Sequence, residues 1–222
     1  MSPKKASESG NVIFFILIGV ALFAALTMAI TETNKGGGDS IDDEQARVRA
    51  TEIMEYGSDM ATAISRLRLN GCSQTQISFE NHTAGGYENA FAPSDESCHV
   101  FSLNGGGMRY QPYDNMIITG NYVITHIKSD DTDLILDLQT TKNTCEAINE
   151  LLGIPNNGID GPPTDTLDAG VKFDGDYVLA STAFANQRTE NAELLGKGAA
   201  CRTNSGTGDT AVYRYYKVLM GR

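Results

Sequence analysis

Hydrophobic and polar positions follow three successive patterns along the chain. From Val12 to Ile30 the residues VIFFILIGVALFAALTMAI are continuously apolar and uncharged, and Thr27 is the only clearly polar member. At about 1.5 Å per residue, a helix of this run nearly spans a bilayer core of about 30 Å. Between Ser40 and Leu69 the apolar residues are spaced by three and four: Ala46, Ala50, Ile53, Gly57, Met60, Ile64 and Leu67. That spacing places them on one stripe of a helix. Arg47, Glu52, Glu55, Asp59 and Thr62 lie off the stripe. After Cys72, short apolar runs divided by Gly, Asn, Asp and Pro replace the helical period, a pattern of strands and turns.

The stripe predicts a helix opened by Ser40 as N-cap. Asp43 sits at the capping-box position, and Asp42, Asp43 and Glu44 suit the positive helix end. Arg66 and Arg68 fall in the last turn, and Asn70-Gly71 supplies the stop. The domain's own sheet is the simplest partner for the stripe. A coiled-coil partner is the alternative, but Gly57 and the two alanines give a weak seam. Upstream, Lys35-Gly36-Gly37-Gly38-Asp39 predicts a break, since each glycine costs a helix about 1 kcal/mol against alanine.

Downstream, strands are expected at Gln76–Glu80, His99–Leu103, Met116–Thr119, Tyr122–Ile127, Leu134–Leu138 and Ala211–Met220. Gly120-Asn121 and Ser129–Asp133 are the expected turns, and Val171–Phe173 with Tyr177–Ala180 an expected hairpin. A short helix capped by Asn143 or Thr144 is expected to run to Leu152 and stop at Gly153-Ile154-Pro155. It would place Cys145, Ile148 and Leu152 on one face. Residues 81–115 and 155–170 read as loop-rich. The sum is an α+β fold: an N-terminal apolar helix, then a head with an antiparallel sheet.

Charge and cysteine use narrow the function. The 222 residues carry a formal charge of −11, and Lys and Arg cluster nowhere beyond the N-terminus. Nucleic-acid binding needs a basic patch to neutralise phosphates, so it is not expected. Lys4 and Lys5 precede the apolar run and Glu32 follows it. The positive-inside rule then sets the N-terminus in the cytoplasm and the bulk of the chain outside. Thr31-Glu32-Thr33-Asn34 is a poor signal-peptidase site, which favours a retained anchor. Outside the cytoplasm, Cys72, Cys98, Cys145 and Cys201 read as two disulfides. Sequence order pairs Cys72 with Cys98 and Cys145 with Cys201, one of three connectivities.

Catalytic and metal patterns are not found. No CxxC, G-x-S-x-G, S-x-x-K or H-E-x-x-H occurs, and His82, His99 and His126 show no telling spacing. An enzyme and a bound cofactor are therefore not expected. Asp130, Asp131 and Asp133, and later Asp160, Asp165, Asp168, Asp174 and Asp176, read as solvated turn residues rather than calcium ligands.

The opening residues MSPKKASESG form a short basic leader ending in Gly10, with the apolar helix beginning at once. This arrangement resembles a type IV prepilin or pseudopilin. The long helix, the antiparallel sheet and the cysteine-bounded C-terminal region are similar to the architecture of that family, especially its larger members. The resemblance implies a cut between Gly10 and Asn11 by a prepilin peptidase. It divides the chain into a leader (1–10), a transmembrane and assembly helix (11–31), a glycine-rich hinge (32–39) and an extracytoplasmic head (40–222). It implies assembly with sibling pilin-like subunits on an inner-membrane platform, with the disulfide from Cys145 to Cys201 enclosing a region of subunit contact. Within the helix, Gly19, Ala21 and Ala25 are the small residues suited to close helix approach. The family usually has Phe just after the cut and Glu at the fifth position; Asn11 and Phe15 stand there, pointing to a minor subunit. A single-pass anchored periplasmic or surface protein with a binding role is the second expectation, an anchored hydrolase the third.

Overall fold

The computed structural model describes residues 14–24, 37–128, 131–156, 161–165, 170–177, 191–203 and 211–222. The chain divides into two compact units, Met1–Glu44 and Gln45–Arg222. The first contains helix α1 over residues 14–24. At about 1.5 Å per residue it is about 16 Å long, half a bilayer core. Among the described residues no helix is long and apolar enough to cross a membrane. The remainder of the predicted span, at 12–13 and 25–30, lies outside the described residues.

Helix α2 runs Gly37–Leu69. The expected cap at Ser40 is therefore wrong: the helix already includes Gly37, Gly38 and Asp39, so the part of the hinge that is described is helical. Once a helix is nucleated, each added residue gains a hydrogen bond, and this offsets the glycine penalty. The other end matches the expectation. The amide of Cys72 donates to Leu67 O (3.1 Å) and that of Gly71 to Arg68 O (3.2 Å), while Gly71 takes φ +101°. This is a Schellman stop, and it needs a residue at ease with positive φ.

The second unit is α+β. Strands β1 (Ile117–Tyr122), β2 (Asp133–Thr140), β3 (Ala199–Thr203) and β4 (Tyr213–Met220) form one antiparallel sheet in the order β1-β2-β4-β3. Helix α3 (Lys142–Leu152) follows β2. Its N-cap is Thr141, whose hydroxyl accepts from the Thr144 amide, and not Asn143 or Thr144 as expected. Thr141 is the last extended residue before the turn, which is the geometry a cap requires. It ends as α2 does, with Gly153 left-handed and the Ile154 amide donating to Asn149 O at 2.8 Å.

The predicted stripe of α2 is buried in full. Ala46, Ala50, Ile53, Met60, Ile64 and Leu67 join Leu134, Leu136 and Leu138 of β2 and Tyr215 and Leu219 of β4 in one core. Gly57 lets the helix approach: a Cβ there would lie 3.2 Å from the Tyr215 hydroxyl and 3.3 Å from Lys217 Cβ. The domain's own sheet is the partner of the stripe. Two disulfides close the unit, Cys72 to Cys98 and Cys145 to Cys201, the pairing suggested by sequence order. Cys145 and Ile148 of α3 face the core as expected.

Several expected strands are corrected. Gly120-Asn121 is not a turn but part of β1, at an irregularity in its register. Gly120 is there for close packing, because a Cβ would meet the rings of Phe173 and Tyr177 at 3.0 Å. β1 ends at Tyr122, so the strand expected over Tyr122–Ile127 is not formed. Gln76–Glu80 and His99–Leu103 meet in a single parallel bridge, Ser78 to His99. Val171–Phe173 forms no strand, and residues 178–180 of its expected partner lie outside the described residues.

Both edges of the sheet are occupied. At β3 the Asn149 side chain accepts from the Cys201 amide (2.8 Å) and donates to its carbonyl (2.9 Å). Two residues on, the Thr203 amide donates to Pro163 O and its carbonyl accepts from Asp165. At β1 the Ile118 amide donates to the Tyr87 hydroxyl (3.0 Å), and the Ile118 carbonyl accepts from Phe173 (2.8 Å).

Candidate functional site

Three places in the molecule bear on function. The first is α1. Phe14, Leu17 and Phe23 are 59%, 63% and 70% exposed, and Phe15, Ile16, Val20 and Leu22 are comparably open. These side chains point in every direction around the helix, since each residue advances about 100°. A helix apolar all round is normally covered by lipid or by other helices. Of the residues expected to mediate assembly, Gly19 and Ala21 lie on α1, and a Cβ at Gly19 would meet nothing within 4 Å. Ala25 and the predicted cleavage residues Gly10 and Asn11 lie outside the described residues.

The second is the sheet face turned away from α2. Asp137 of β2 is completely buried and accepts from Arg202 of β3 (2.6 Å) and from Arg214 of β4. Arg214 also donates to Asn115 O at 3.0 Å. Burial opposes the Arg202 charge, but Asp137 and Tyr122 outweigh it and hold the guanidinium above its usual pKa. Burial, then Asp137, pushes the Tyr122 phenol up. Tyr122, Ile135, Ala200, Tyr216 and Leu194 wall the cluster. The sequence reading missed these charges. The signal was present: Asp137 and Arg214 are charges set among apolar and aromatic strand residues, in LILDL and YRYY. A carboxylate paired with an arginine at each oxygen ties three strands together.

The third is a groove of about 550 Å³ in the segment before the sheet, lined by Glu80, His82, Glu96, Phe101, Arg109 and Tyr110 among others. Its walls are set by the backbone. The bridge of Ser78 to His99 and the disulfide Cys72–Cys98 tie its two sides. Gly105 and Gly106 pack directly on residues 96–100, and a Cβ on either would collide with the carbonyl of His99 or Val100. Arg66 of α2 donates to Gly106 O at 3.0 Å and so holds the glycine turn to the helix. Glu96 takes φ +59°, with its carbonyl accepting from the His99 amide and its carboxylate from the Ser102 hydroxyl (2.7 Å). A non-glycine residue at positive φ stores strain that its surroundings must hold.

The groove gathers His82 and His99. The Ser102 hydroxyl is directed at Glu96 instead of an imidazole. Among the described residues no group of three His, Cys, Asp or Glu is placed to hold a metal. Asn81 and Asn89 are committed to the backbone, Asn81 to Phe79, Thr83 and Ala84, and Asn89 to Thr75, Ile77 and Phe91. Burial pushes the Tyr110 phenol up, so at neutral pH it is a neutral hydroxyl. A second cleft of about 390 Å³ is lined by Arg68 and Lys128. Arg68 donates from Nη1 to Cys72 O, and Lys128 donates to Gly221 O.

Two expected solvated aspartates are corrected. Asp133 is buried at the start of β2, where its carboxylate accepts from the Ile124 and Arg222 amides (3.0 Å each). Asp165 is buried beside Arg202. Both satisfy backbone or charge needs that composition does not reveal. Asp130, Asp160 and Asp168 lie outside the described residues.

Compared with known protein families, curated proteins and solved structures, the chain matches none of them.

Proposed function

We propose that the protein is a structural subunit, a minor pilin or pseudopilin, of a type IV pilus or related secretion filament. The observation that carries the reading is the all-round apolar exposure of α1. A surface of this kind needs lipid before assembly and sibling helices after it. The basic leader ending at Gly10, the amphipathic helix on an antiparallel sheet and the disulfide-closed C-terminal region support the same reading. In it, the apolar run crosses the inner membrane with its N-terminus in the cytoplasm. The head lies in the periplasm or on the filament, and a prepilin peptidase and an assembly platform act on the chain.

Mass spectrometry of the mature N-terminus tests this directly. Loss of residues 1–10 in peptidase-positive cells, and their retention when the peptidase is deleted, is the expected result. An intact N-terminus in both strains overturns the filament reading. The second reading, an anchored surface protein with a binding role, is favoured by the preformed groove. The double variant Ala21→Leu, Ala25→Leu separates the two. Leucine keeps the helix apolar but blocks close approach. A filament subunit loses filament incorporation while staying in the membrane; a plain anchor is unaffected.

A further inference from the structure

We propose that the groove lined by Glu96, Phe101, Arg109 and Tyr110 binds a neutral carbohydrate of two or three sugar units. Four observations lead there. The volume, about 550 Å³, lies in the range of small-ligand sites and suits a short oligosaccharide. The walls are preorganised by a disulfide, a parallel bridge and a backbone-packed glycine turn, so little ordering cost remains at binding.

The third observation is the lining. Phe101 and Tyr110 are half-buried and hold each other edge-to-face, with ring centroids 5.3 Å apart at 89°. Phe101 is braced from behind by Phe79 (6.3 Å), so the pair is a fixed apolar wall in a polar groove. Sugar rings present one apolar C–H face and a rim of hydroxyls, and they need such a wall beside donors and acceptors. Arg109 supplies forked donors, Glu80 and Glu96 supply acceptors, and the Tyr110 hydroxyl supplies both.

The fourth is charge. The charged lining is Glu80 and Glu96 against Arg109, with His82 and His99 counted neutral, on a chain of formal charge −11. This field repels phosphates, nucleic acids and acidic sugars. The polar lining equally disfavours a lipid tail, and the described residues offer no metal cluster. Uncharged hydroxyl-rich ligands remain, and their hydroxyls match both the donors and the acceptors of the lining. Backbone strain at Glu96, on the lip of the groove, fits a residue held in place for contact. This assignment does not depend on whether the chain assembles into filaments.

The test uses the full chain in a detergent without a sugar headgroup. Saturation-transfer NMR is recorded with maltotriose, lactose and N,N′-diacetylchitobiose, with sialyllactose as the anionic comparator. At least one neutral sugar is expected to bind, with sialyllactose no tighter than lactose. Arg109→Ala, at an exposed position, is expected to weaken binding at least tenfold with the fold unchanged by circular dichroism. Tyr110→Phe, which removes only the hydroxyl, is expected to weaken it severalfold. Absence of binding by all three neutral sugars overturns the proposal. So does tighter binding of sialyllactose, or binding that neither substitution alters.

Discussion

Leu136 and Asp137 are neighbours in β2, both completely buried, and their side chains leave the sheet on opposite faces. Leu136 enters the apolar core under α2, where its partners are interchangeable hydrocarbon surfaces. Asp137 enters a cluster where its two oxygens are claimed by Arg202 and Arg214. One face tolerates any apolar group of similar volume and shape. The other tolerates one group only, because removing the anion takes from two buried cations the carboxylate that both donate to. The sheet is thus held by a nonspecific force on one side and by a specific contact on the other.

The largest expected effect follows from that contrast. Asp137→Asn keeps the shape and deletes the charge, and it should destabilise by up to about 5 kcal/mol in urea denaturation. A loss below 1 kcal/mol would show that the cluster contributes no more than a neutral hydrogen bond. Next come the disulfides. Cys145–Cys201 spans 56 residues and Cys72–Cys98 spans 26. Loop entropy gives about 4 and about 3.5 kcal/mol for the paired Cys→Ala variants. The Cys145–Cys201 pair should exceed this gap, since it also pins α3 to β3. Equal melting temperatures would place α3 outside the cooperative unit.

Leu136→Met is the apolar counterpart of Asp137→Asn and should cost less than about 1.5 kcal/mol. A larger cost would erase the contrast between the faces. Asp133 gives a smaller, pH-dependent term. Burial raises its carboxyl above the ordinary 3.8, and the Ile124 and Arg222 amides pull the other way without cancelling it. The folded state therefore holds this proton more tightly than the unfolded chain. Stability from this group rises as pH falls through the raised folded value, and the gain is complete below 3.8. Asp133→Asn removes the term, so the stability difference, wild type minus variant, should grow from pH 7 toward pH 4. A flat difference would mean the carboxylate is effectively solvated. The smallest effect is expected from Arg47→Ala. Its bridge to Glu150 (2.9 Å) is more than half exposed at both ends, and such pairs contribute at most about 0.5 to 1 kcal/mol.

Much of the helix-side architecture was legible in the sequence. The stripe from Ala46 to Leu67 appears in full because helical period and burial coincide. The glycines at 71 and 153 announce both helix ends through positive φ. β4 was legible as a tyrosine-rich, β-branched run, and β2 as LILDL. β3 was not, because AACRT has little strand propensity; neighbours hold it there, namely the disulfide, Asn149 and β4. Gly120 misled because a glycine that permits ring packing looks like one that permits a turn. The charged cluster was hidden because Asp137, Arg202 and Arg214 are joined only by the fold. The groove was hidden for a related reason: its shape comes from backbone contacts at Gly105 and Gly106, which leave no periodicity.

The guarded rims of the sheet carry a further consequence for life in a crowd. Tethered proteins, or subunits stacked along a fibre, meet their neighbours at local concentrations far above those of free solution. An open strand rim under such conditions is a template for runaway cross-strand growth. At β3 the Asn149 carboxamide stands in for the next strand, and at β1 the Tyr87 hydroxyl and the Phe173 amide do the same. The sheet is finished within the chain at these positions, so dense neighbours find no hydrogen-bonding row to extend there. In the proposed filament reading, order among copies comes from surfaces other than these rims, with the apolar helix over residues 14–24 as the candidate.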